Sequence, residues 1–307
     1  MVQTNSVKPK VVVITGATGS GKSGLAIRLA VELNGEIISA DSVQVYKGLN
    51  IGSGKVTAEE MQGITHYNLD ILSPNESYSA GKFCADVDNY ISTILAKGKL
   101  PIIVGGTTMY VKAWLEDFDF FGSVNSEQLR QKYVEQANSQ GISLYELLRM
   151  KDEKLAANVH QNNTKRILRY LQIADYGEKS VANDLCTQKS SVHSKYNILA
   201  LRLDVDRAVL YEKINNRVDQ MVRDGLLDEV KTLWQEYGDV DSLKTIDYKE
   251  MVSYLKGEMT FDQAVDKAKQ HSRNYAKRQI TFMKTMPYLV GCTKENIVDK
   301  VREFIND

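Results

Sequence analysis

Short apolar runs recur along the first third of the chain and once more about two thirds of the way along it, separated by stretches whose apolar residues have helical spacing. Each run is brief and ends in a polar loop, which is the pattern of buried strands that alternate with helices. The alternation predicts an α/β fold with a parallel sheet, flanked by helices, whose functional groups lie at the carboxyl ends of the strands. The predicted strands are Val11–Ile14, Glu36–Ile38, Leu69–Leu72, Ile102–Val104 and Ile198–Leu203.

The pattern changes over residues 117–196, where strand-like runs give way to polar helical segments such as Ser126–Ser139 and Ser143–Met150. We therefore predict an inserted all-helical domain over 117–196. The α/β core is then formed by residues 1–116 and 197–307.

Beyond Asp204 the pattern is helical nearly to the end of the chain. Leu210, Ile214 and Met221 recur on one face of a predicted helix, and Arg217 falls on the same side. A buried arginine needs an anionic partner, which is either a bound phosphate or the carboxylate of a structural ion pair. The spacing leaves both open.

The chain of 307 residues carries 39 basic and 39 acidic side chains, so its formal net charge is zero. No global field attracts a nucleic acid, and such a partner would need a local basic face. The three cysteines and four histidines are scattered, which argues against a disulfide framework and a zinc site. The amino-terminal segment is polar and no apolar run is long enough to span a bilayer, so we expect a cytoplasmic protein with no membrane partner.

The segment between the first predicted strand and the following helix matches the phosphate-binding pattern G-x-x-x-x-G-K-[ST] in its required context. Backbone N–H groups of such a loop surround phosphate oxygens, a lysine adds a cation, and a serine hydroxyl binds Mg²⁺. The sequence therefore predicts a site for a phosphate chain. Its candidate residues are Gly16, Ala17, Thr18, Gly19, Ser20, Gly21, Lys22 and Ser23, with Ser23 as the metal ligand.

Two further candidates follow predicted strands. Asp41 lies just past the second strand, where it is about equally suited to act as a base on a bound nucleophile or to cap a helix. Thr107 follows Gly105 and Gly106, a pair that either allows close approach to a ligand or simply forms a turn. The residue pattern favours the turn slightly.

Basic side chains cluster in two places. Lys269, Arg273 and Lys277 recur every four residues in the predicted helix Phe261–Thr285, and a second cluster lies in the insertion. Such clusters usually form solvated helix faces, but two of them on a neutral protein favour an anionic polymer modestly. The chain contains no Lys-x-Asp, so the guanine-binding motif of GTPases is absent, whereas a small-molecule kinase is not excluded.

Together these motifs resemble the tRNA dimethylallyltransferases from Val11 to about Thr285, nearly the whole chain. The loop pattern alone is generic, but its combination with the other segments is specific. The resemblance rests on Gly16–Ser23, Glu36–Tyr46, Gly105–Tyr110, Tyr248–Glu250 and Tyr275–Gln279.

The resemblance implies that the loop binds the diphosphate of dimethylallyl diphosphate in place of ATP. Lys22, Mg²⁺ on Ser23 and Arg217 are then expected to stabilise the leaving diphosphate. Asp41 is expected to handle the proton of the exocyclic amine of adenine, with Thr107 beside the reacting groups. The catalytic residues so implied are Lys22, Asp41, Thr107 and Arg217.

The resemblance also implies that the insertion binds a tRNA anticodon stem-loop. Separately, we expect a monomer. The base must leave its stack, which is easiest in a loop. The residues expected to contact tRNA are Asp41, Ser42, Val43, Gln44, Thr107, Arg130, Lys165, Arg166, Ile167, Leu168, Arg169, Lys244, Asp247, Tyr248, Lys249, Arg273, Lys277 and Arg278.

The chain departs from the family pattern in two segments that are expected to face RNA. Val159–Asn163 replaces Ile-His-Pro-Asn-Asp, and Asp247 stands where glycine is common. Two other activities remain open, namely prenylation of a free adenine nucleotide and a small-molecule kinase reaction. The insertion and basic clusters disfavour the first, because a small acceptor needs no such platform.

Overall fold

The computed structural model describes residues 8–118, 126–176 and 192–307. In these ranges the strands are β1 (Lys10–Thr15), β2 (Gly35–Ser39), β3 (His66–Tyr67), β4 (Leu100–Gly105), β5 (Asn197–Leu203) and β6 (Val290–Cys292). They form one parallel sheet in the order β3-β2-β4-β1-β5-β6. The predicted parallel α/β fold is therefore confirmed, with β1 at the centre of the sheet.

Helices lie on both faces of this sheet, as the connections between parallel strands require. In the described parts of the chain, no helix has both the length and the apolar composition needed to cross a membrane. In chain order the helices are α1 (Lys22–Glu32), α2 (Ala80–Ala96), α3 (Thr108–Leu115), α4 (Ser126–Ser139), α5 (Leu144–Lys151), α6 (Glu153–Ala157), α7 (Thr164–Tyr176), α8 (Arg207–Arg223), α9 (Leu226–Tyr237), α10 (Tyr248–Leu255), α11 (Phe261–Met283) and α12 (Ile297–Asn306), with a 3₁₀ turn over Asp241–Lys244.

The side chains of β1 alternate between two apolar layers, because successive residues of a strand face opposite sides of the sheet. Val11 and Val13 pack in the layer formed by α2 and α3, whereas Val12 and Ile14 pack in the layer formed by α1 and α12. All four are fully buried. A strand that is apolar on both faces therefore carries the phosphate-binding loop at its end.

A third apolar cluster joins α8, α9 and α10 to the segment that follows β2. The fully buried Tyr248 lies in this cluster, and its hydroxyl donates a hydrogen bond to Glu229 at 2.7 Å. Glu229 also accepts the backbone N–H groups of Ile51 and Gly52. The cluster thereby fixes the loop around residues 51–54 that borders the site.

The chain divides into two compact units, Met1–Asp117 with Ser191–Asp307, and Phe118–Ser190. The smaller unit is helical in its described part, with a core of side chains from α4, α5, α6 and α7. The smaller unit ends earlier in the chain than the predicted boundary at Tyr196. His193 is already buried in the larger unit, with its ring 5.2 Å from that of Trp114.

The predicted strands differ from the observed ones in two places. The predicted strand Leu69–Leu72 is wrong, since the strand lies at His66–Tyr67 and Leu72 forms only an isolated bridge with Tyr46. Asn68 and Asp70 have φ of 65° and 51°, left-handed conformations that break an extended chain. The short edge strand β6 was not predicted, because its few residues are mostly exposed.

Candidate active site

The predicted phosphate-binding loop Gly16–Ser23 joins β1 to α1. Gly19 and Gly21 have φ of 77° and 86°, conformations that favour glycine. A Cβ on Gly19 would lie 2.9 Å from Cγ1 of Ile214, so packing also excludes a larger residue there. The backbone N–H groups at the start of α1 are thus presented to the loop, which is the arrangement that binds phosphate oxygens.

A cavity of about 330 Å³ lies beside this loop. It brings together side chains from the loop, from the carboxyl ends of β2 and β4, and from α8 and α11. Most of the residues that were predicted to take part in the chemistry therefore line one cavity. The predicted site residues that line it are Thr18, Lys22, Ser23, Asp41, Ser42, Val43, Gln44, Thr107, Arg217, Lys244, Asp247 and Arg278.

Asp41 and Thr107 are each held by the backbone that follows β2. One carboxylate oxygen of Asp41 accepts the N–H groups of Val43 at 2.9 Å and of Gln44 at 3.3 Å. The Thr107 hydroxyl accepts the N–H of Ser42 at 2.9 Å. Asp41 thus caps a tight turn rather than a helix, and this turn orients the carboxylate at the cavity wall.

Lys22 is a partly buried cation of the site. Burial lowers the pKa of Lys22 to about 8; the charge of Asp41 opposes this shift, and that of Arg217 adds to it. Its ammonium group donates to the carbonyl of Ala17 at 3.3 Å. Because burial destabilises the charged form of Lys22, a bound phosphate group would stabilise that form.

Arg217 reaches the cavity from α8. Its guanidinium donates to the Thr18 hydroxyl at 3.4 Å and to the Ser53 carbonyl at 3.0 Å. A Cβ on Gly54 would lie only 2.0 Å from Nη2 of Arg217, so the glycine makes room for the guanidinium. Both hydrogen-bond partners are neutral, which favours a bound anion over the structural ion pair as the reason for this arginine.

Gln279 and Tyr275 of α11 also line the cavity, and no spacing argument singled them out. The Gln279 side chain accepts the N–H of Thr18 at 2.8 Å and donates to the Gly106 carbonyl at 2.6 Å. Burial raises the pKa of the Tyr275 hydroxyl, with the charge of Asp41 acting in the same direction, whereas hydrogen bonds with Thr107 and Gln279 oppose the shift. In the sequence, these two residues are indicated only by the segment Tyr275–Gln279, which is one of those that resemble the family.

The glycine pair before Thr107 has a packing role. A Cβ on Gly105 would lie 2.0 Å from the carbonyl oxygen of Ala40, and one on Gly106 would lie 2.8 Å from Nε2 of Gln279. The pair thus allows close approach of protein groups, rather than the simple turn that the residue pattern favoured.

Asp247 lies in the cavity wall at φ 75°, and the residue is only 9% exposed. Burial raises the pKa of Asp247 to about 7; the charge of Arg217 opposes this shift and that of Glu250 adds to it. The Ser272 hydroxyl donates to its carboxylate at 3.1 Å. The positive φ accounts physically for the glycine that the family pattern has at this position.

The basic residues of α11 differ in their surroundings. Lys269 forms an ion pair with Asp219 at 2.6 Å, and Arg273 donates to the side chain of Asn215 at 2.5 Å. Lys277 is exposed, and Arg278 borders the cavity with its guanidinium 5.8 Å from the centre of the Tyr275 ring. Lys277 and Arg278 are therefore the basic residues of α11 that are best placed to bind an external anion.

Two of the residues expected to contact tRNA have buried side chains. Ile167 is 1% exposed and packs in the core of the smaller unit, and Tyr248 is fully buried in the third cluster. These two side chains stabilise the fold, and the expectation that their positions contact tRNA stays a prediction. Lys249, beside Tyr248, is partly exposed and forms an ion pair with Glu250 at 3.6 Å.

The smaller unit carries the second basic cluster. Lys165 is exposed, and Arg166 donates to the Tyr170 hydroxyl at 3.0 Å with its guanidinium 5.2 Å from the centre of that ring. Burial lowers the pKa of Arg169, and the charge of Arg130 acts in the same direction. The predicted residues Arg130, Lys165, Arg166, Leu168 and Arg169 thus belong to the smaller unit and do not line the cavity.

Comparison with known proteins gives the family. Residues 44–286 match the family model described as IPP transferase. The chain is 42% identical to the tRNA dimethylallyltransferase of Bacillus subtilis (strain 168) over 282 residues, which cover 91% of this chain and 89% of the relative. It is 40% identical to the tRNA dimethylallyltransferase of Oceanobacillus iheyensis over 302 residues, which cover 97% of this chain and 96% of that relative.

Solved structures agree with this assignment. A tRNA isopentenylpyrophosphate transferase from Staphylococcus epidermidis matches with a TM-score of 0.71 and 39% identity, over 97% of this chain and 99% of that one. A eukaryotic dimethylallyltransferase whose structures show it acting on tRNA matches with a TM-score of 0.80 and 27% identity, over 96% of this chain and 77% of that one. The chain therefore belongs to the IPP transferase family, together with the tRNA dimethylallyltransferases.

Proposed function

We propose that the protein transfers a dimethylallyl group from dimethylallyl diphosphate to the exocyclic amine of an adenosine adjacent to the anticodon in tRNA. One observation carries the proposal: the phosphate-binding loop and the pair Asp41 and Thr107 line the same cavity. A donor held by its diphosphate and an acceptor amine held beside a carboxylate then meet in one chamber, which supplies proximity and orientation.

The leaving diphosphate binds to the loop backbone, to Lys22 and to Arg217. These groups are positioned before the reaction, since Arg217 is held by Thr18 and Ser53. Preorganised cations stabilise negative charge as it develops on the leaving group. The depressed pKa of Lys22 fits this role, because its charged form gains most when an anion arrives.

In the reaction, the amine nitrogen forms a bond to C1 of the dimethylallyl group. The bond between C1 and the diphosphate oxygen breaks, and its electron pair leaves with the diphosphate. The amine proton passes to the carboxylate of Asp41, whose orientation is fixed by the turn after β2. Thr107 holds that turn through Ser42 and lies at the same wall.

We propose Mg²⁺ as the cofactor, held by the Ser23 hydroxyl and by the diphosphate oxygens. Mg²⁺ commonly binds few protein ligands and several substrate or water oxygens. Ser23 lines both this cavity and a second one of about 520 Å³ beside the loop, so its position fits that mode. Within the described ranges, no group of three or more His, Cys, Asp or Glu residues forms an alternative metal site. When bound, the metal offsets diphosphate charge.

The acceptor we propose is the anticodon stem-loop, with Lys277, Arg278 and the cluster around Arg166 contacting its backbone. A base held in an unpaired loop enters a pocket at the smallest cost in lost stacking. We place the reaction in the cytoplasm, where tRNA is found. We also propose that the protein acts as a monomer.

The test is a transfer assay with labelled dimethylallyl diphosphate and Mg²⁺, in which unmodified tRNA, AMP and ADP are offered separately. We expect label on tRNA alone. Transfer to AMP or ADP but not to tRNA would support prenylation of a free nucleotide. Consumption of ATP that depends on a small acceptor would support the kinase reaction.

A further inference from the structure

Part of the phosphate-binding loop borders a space that the proposed reaction does not use. Lys22 and Ser23 line both of the cavities described above. Ala17 and Ser20 line neither of them, and instead border a further cavity of about 260 Å³. No described residue lines both this further cavity and the proposed active site.

The hydroxyl of Ser20 is an unusual polar group in the wall of this cavity. The residue is 1% exposed, and its hydroxyl has no hydrogen-bond partner within the described ranges. Burying a hydroxyl without a partner is costly, and buried polar groups normally have one. The phosphate-binding pattern allows any residue at this position, so alanine would avoid the cost. A polar atom of a ligand in the cavity would supply the partner.

Apolar side chains form most of the remaining wall. They come from the end of β5, from the segment after it, and from α8 and α11. The apolar residues are Leu203, Val205, Leu210, Ile280 and Met283. An apolar wall with a few polar groups is the usual form of a small-molecule site. The cavity is slightly smaller than the range of about 300–1,000 Å³ for drug-sized ligands, which indicates a small ligand.

Three charged side chains of the described chain also line this cavity. Arg202 donates to the two carboxylate oxygens of Asp204 at 2.7 and 3.1 Å, so these two charges offset each other. Lys284 is exposed and forms no ion pair with a described residue. The cavity therefore offers one cation to a ligand, at a position that solvent reaches.

We propose that this cavity binds a small carboxylic acid that has an apolar body and a second oxygen-bearing group. The second oxygen accepts a hydrogen bond from the Ser20 hydroxyl. The apolar body packs against the side chains of α8 and α11, and the carboxylate pairs with Lys284. The site is separate from the cavity of the proposed reaction, so the proposal does not depend on that reaction.

The probe is 6-hydroxyhexanoate. Its analogues are hexanoate, which lacks the hydroxyl, and 1,6-hexanediol, which lacks the charge. Methionine methyl groups labelled with ¹³C report binding by NMR, because Met283 lines the cavity, whereas Met150 is exposed and lies in the smaller unit. Titrations compare the unmodified protein with Lys284→Ala and Ser20→Ala. Lys231→Ala removes an exposed lysine that does not line the cavity and is the matched control.

We expect 6-hydroxyhexanoate to shift the Met283 signal to saturation and to leave the Met150 signal in place. Lys284→Ala should weaken binding of this probe by up to about fivefold, as is typical of an exposed ion pair, and should leave binding of 1,6-hexanediol unchanged. Ser20→Ala should weaken binding of both compounds about fivefold, because it removes one hydrogen bond. Hexanoate should bind the unmodified protein more weakly than 6-hydroxyhexanoate does, and Lys231→Ala should change none of these affinities.

A Met283 signal that none of the three compounds shifts would overturn the proposal. Equal affinities of the unmodified protein and Lys284→Ala for 6-hydroxyhexanoate would exclude the carboxylate contact and overturn it as well. An unchanged affinity in Ser20→Ala would assign a water molecule as the partner of the hydroxyl and overturn the ligand contact. Lys284→Ala alters an exposed side chain and keeps the test valid if Ser20→Ala does not fold. Because no measurement involves transfer to tRNA, these outcomes are independent of the proposed function.

Discussion

The side-chain carbonyl of Gln279 accepts the backbone N–H of Thr18 at 2.8 Å. The amide of the same side chain donates to the carbonyl of Gly106 at 2.6 Å. One buried residue of α11 thus ties the phosphate-binding loop to the turn that carries Thr107. Because the proposed donor and acceptor are held by these two loops, their spacing depends on this bridge.

Replacing Gln279 by Leu should disturb that spacing. We expect kcat for transfer to tRNA to fall about 100-fold, since a displacement of about 1 Å at a reacting centre has this effect. Leaving buried backbone groups unpaired should also lower the free energy of unfolding by about 1–3 kcal/mol for each group. Steady-state kinetics and urea denaturation measure both. Thr281→Ala, at an exposed position of α11, is the control; a Gln279→Leu enzyme as active as this control would contradict the bridge.

Asp41→Asn should separate binding from chemistry. The amide oxygen of asparagine still accepts the N–H groups of Val43 and Gln44, so the turn and tRNA binding should survive. The amide does not accept the amine proton, and kcat should fall by about 10²- to 10⁴-fold. Filter binding and single-turnover transfer measure the two effects. An Asp41→Asn enzyme with near-normal turnover would exclude Asp41 as the base.

Gly54→Ala should weaken diphosphate binding without touching a charged residue. The new Cβ would lie 2.0 Å from Nη2 of Arg217, so the guanidinium has to move. Removing a charge-assisted hydrogen bond of this kind weakens pyrophosphate binding by about 10- to 100-fold. Gly63→Ala is the matched control, because Gly63 also has a positive φ but meets nothing within 4 Å. Similar affinities for the two variants would show that backbone strain, rather than Arg217, is responsible.

Lys277 and Arg278 of α11 should bind phosphate groups of tRNA. Replacing Lys277 and Arg278 by Ala should weaken tRNA binding and reduce the slope of log K against log salt by about one for each phosphate that is no longer neutralised. Lys269→Ala should change the slope little, because Asp219 already neutralises Lys269 at 2.6 Å. Binding isotherms over a salt series give the slopes. An unchanged slope in the double variant would assign these residues to a solvated face.

Asp247 should make stability depend on pH. Its pKa is raised from 3.8 to about 7, so the folded protein binds the proton more tightly than the unfolded chain does. The stabilisation is fully present below about pH 4 and is lost as pH rises to about 7, by a few kcal/mol at most. Asp247→Asn should therefore gain stability relative to the unmodified protein between pH 5 and pH 8, as urea denaturation at both values measures. An equal difference at both pH values would contradict the raised pKa.

Much of the fold follows from local pattern. Runs that are apolar on both faces, such as Val11–Ile14, read as buried strands because helices cover both sides of a parallel sheet. The strand at His66–Tyr67 was missed because polar residues form it, while the apolar run after it is broken by left-handed residues. Local hydrophobicity does not report such backbone conformations.

The site was predictable in part. The phosphate-binding loop can be recognised in the sequence, because its glycines and lysine lie within one short segment of the chain. The bridge through Gln279 does not, since its partners lie more than 170 positions away and only the folded chain unites them. The role of Gly54 likewise depends on the distant Arg217.

The sheet order also bears on how the protein is made. The central strand β1 emerges early from the ribosome, but its neighbour β5 and the edge strand β6 lie beyond residue 196. Until they emerge, one edge of β1 lacks its native strand and is open to other chains. The fully buried Ile297 and Val301 of α12 then close the layer beneath α1. Loss of the final dozen residues, far in sequence from the phosphate-binding loop, should therefore yield an insoluble product rather than a weaker enzyme.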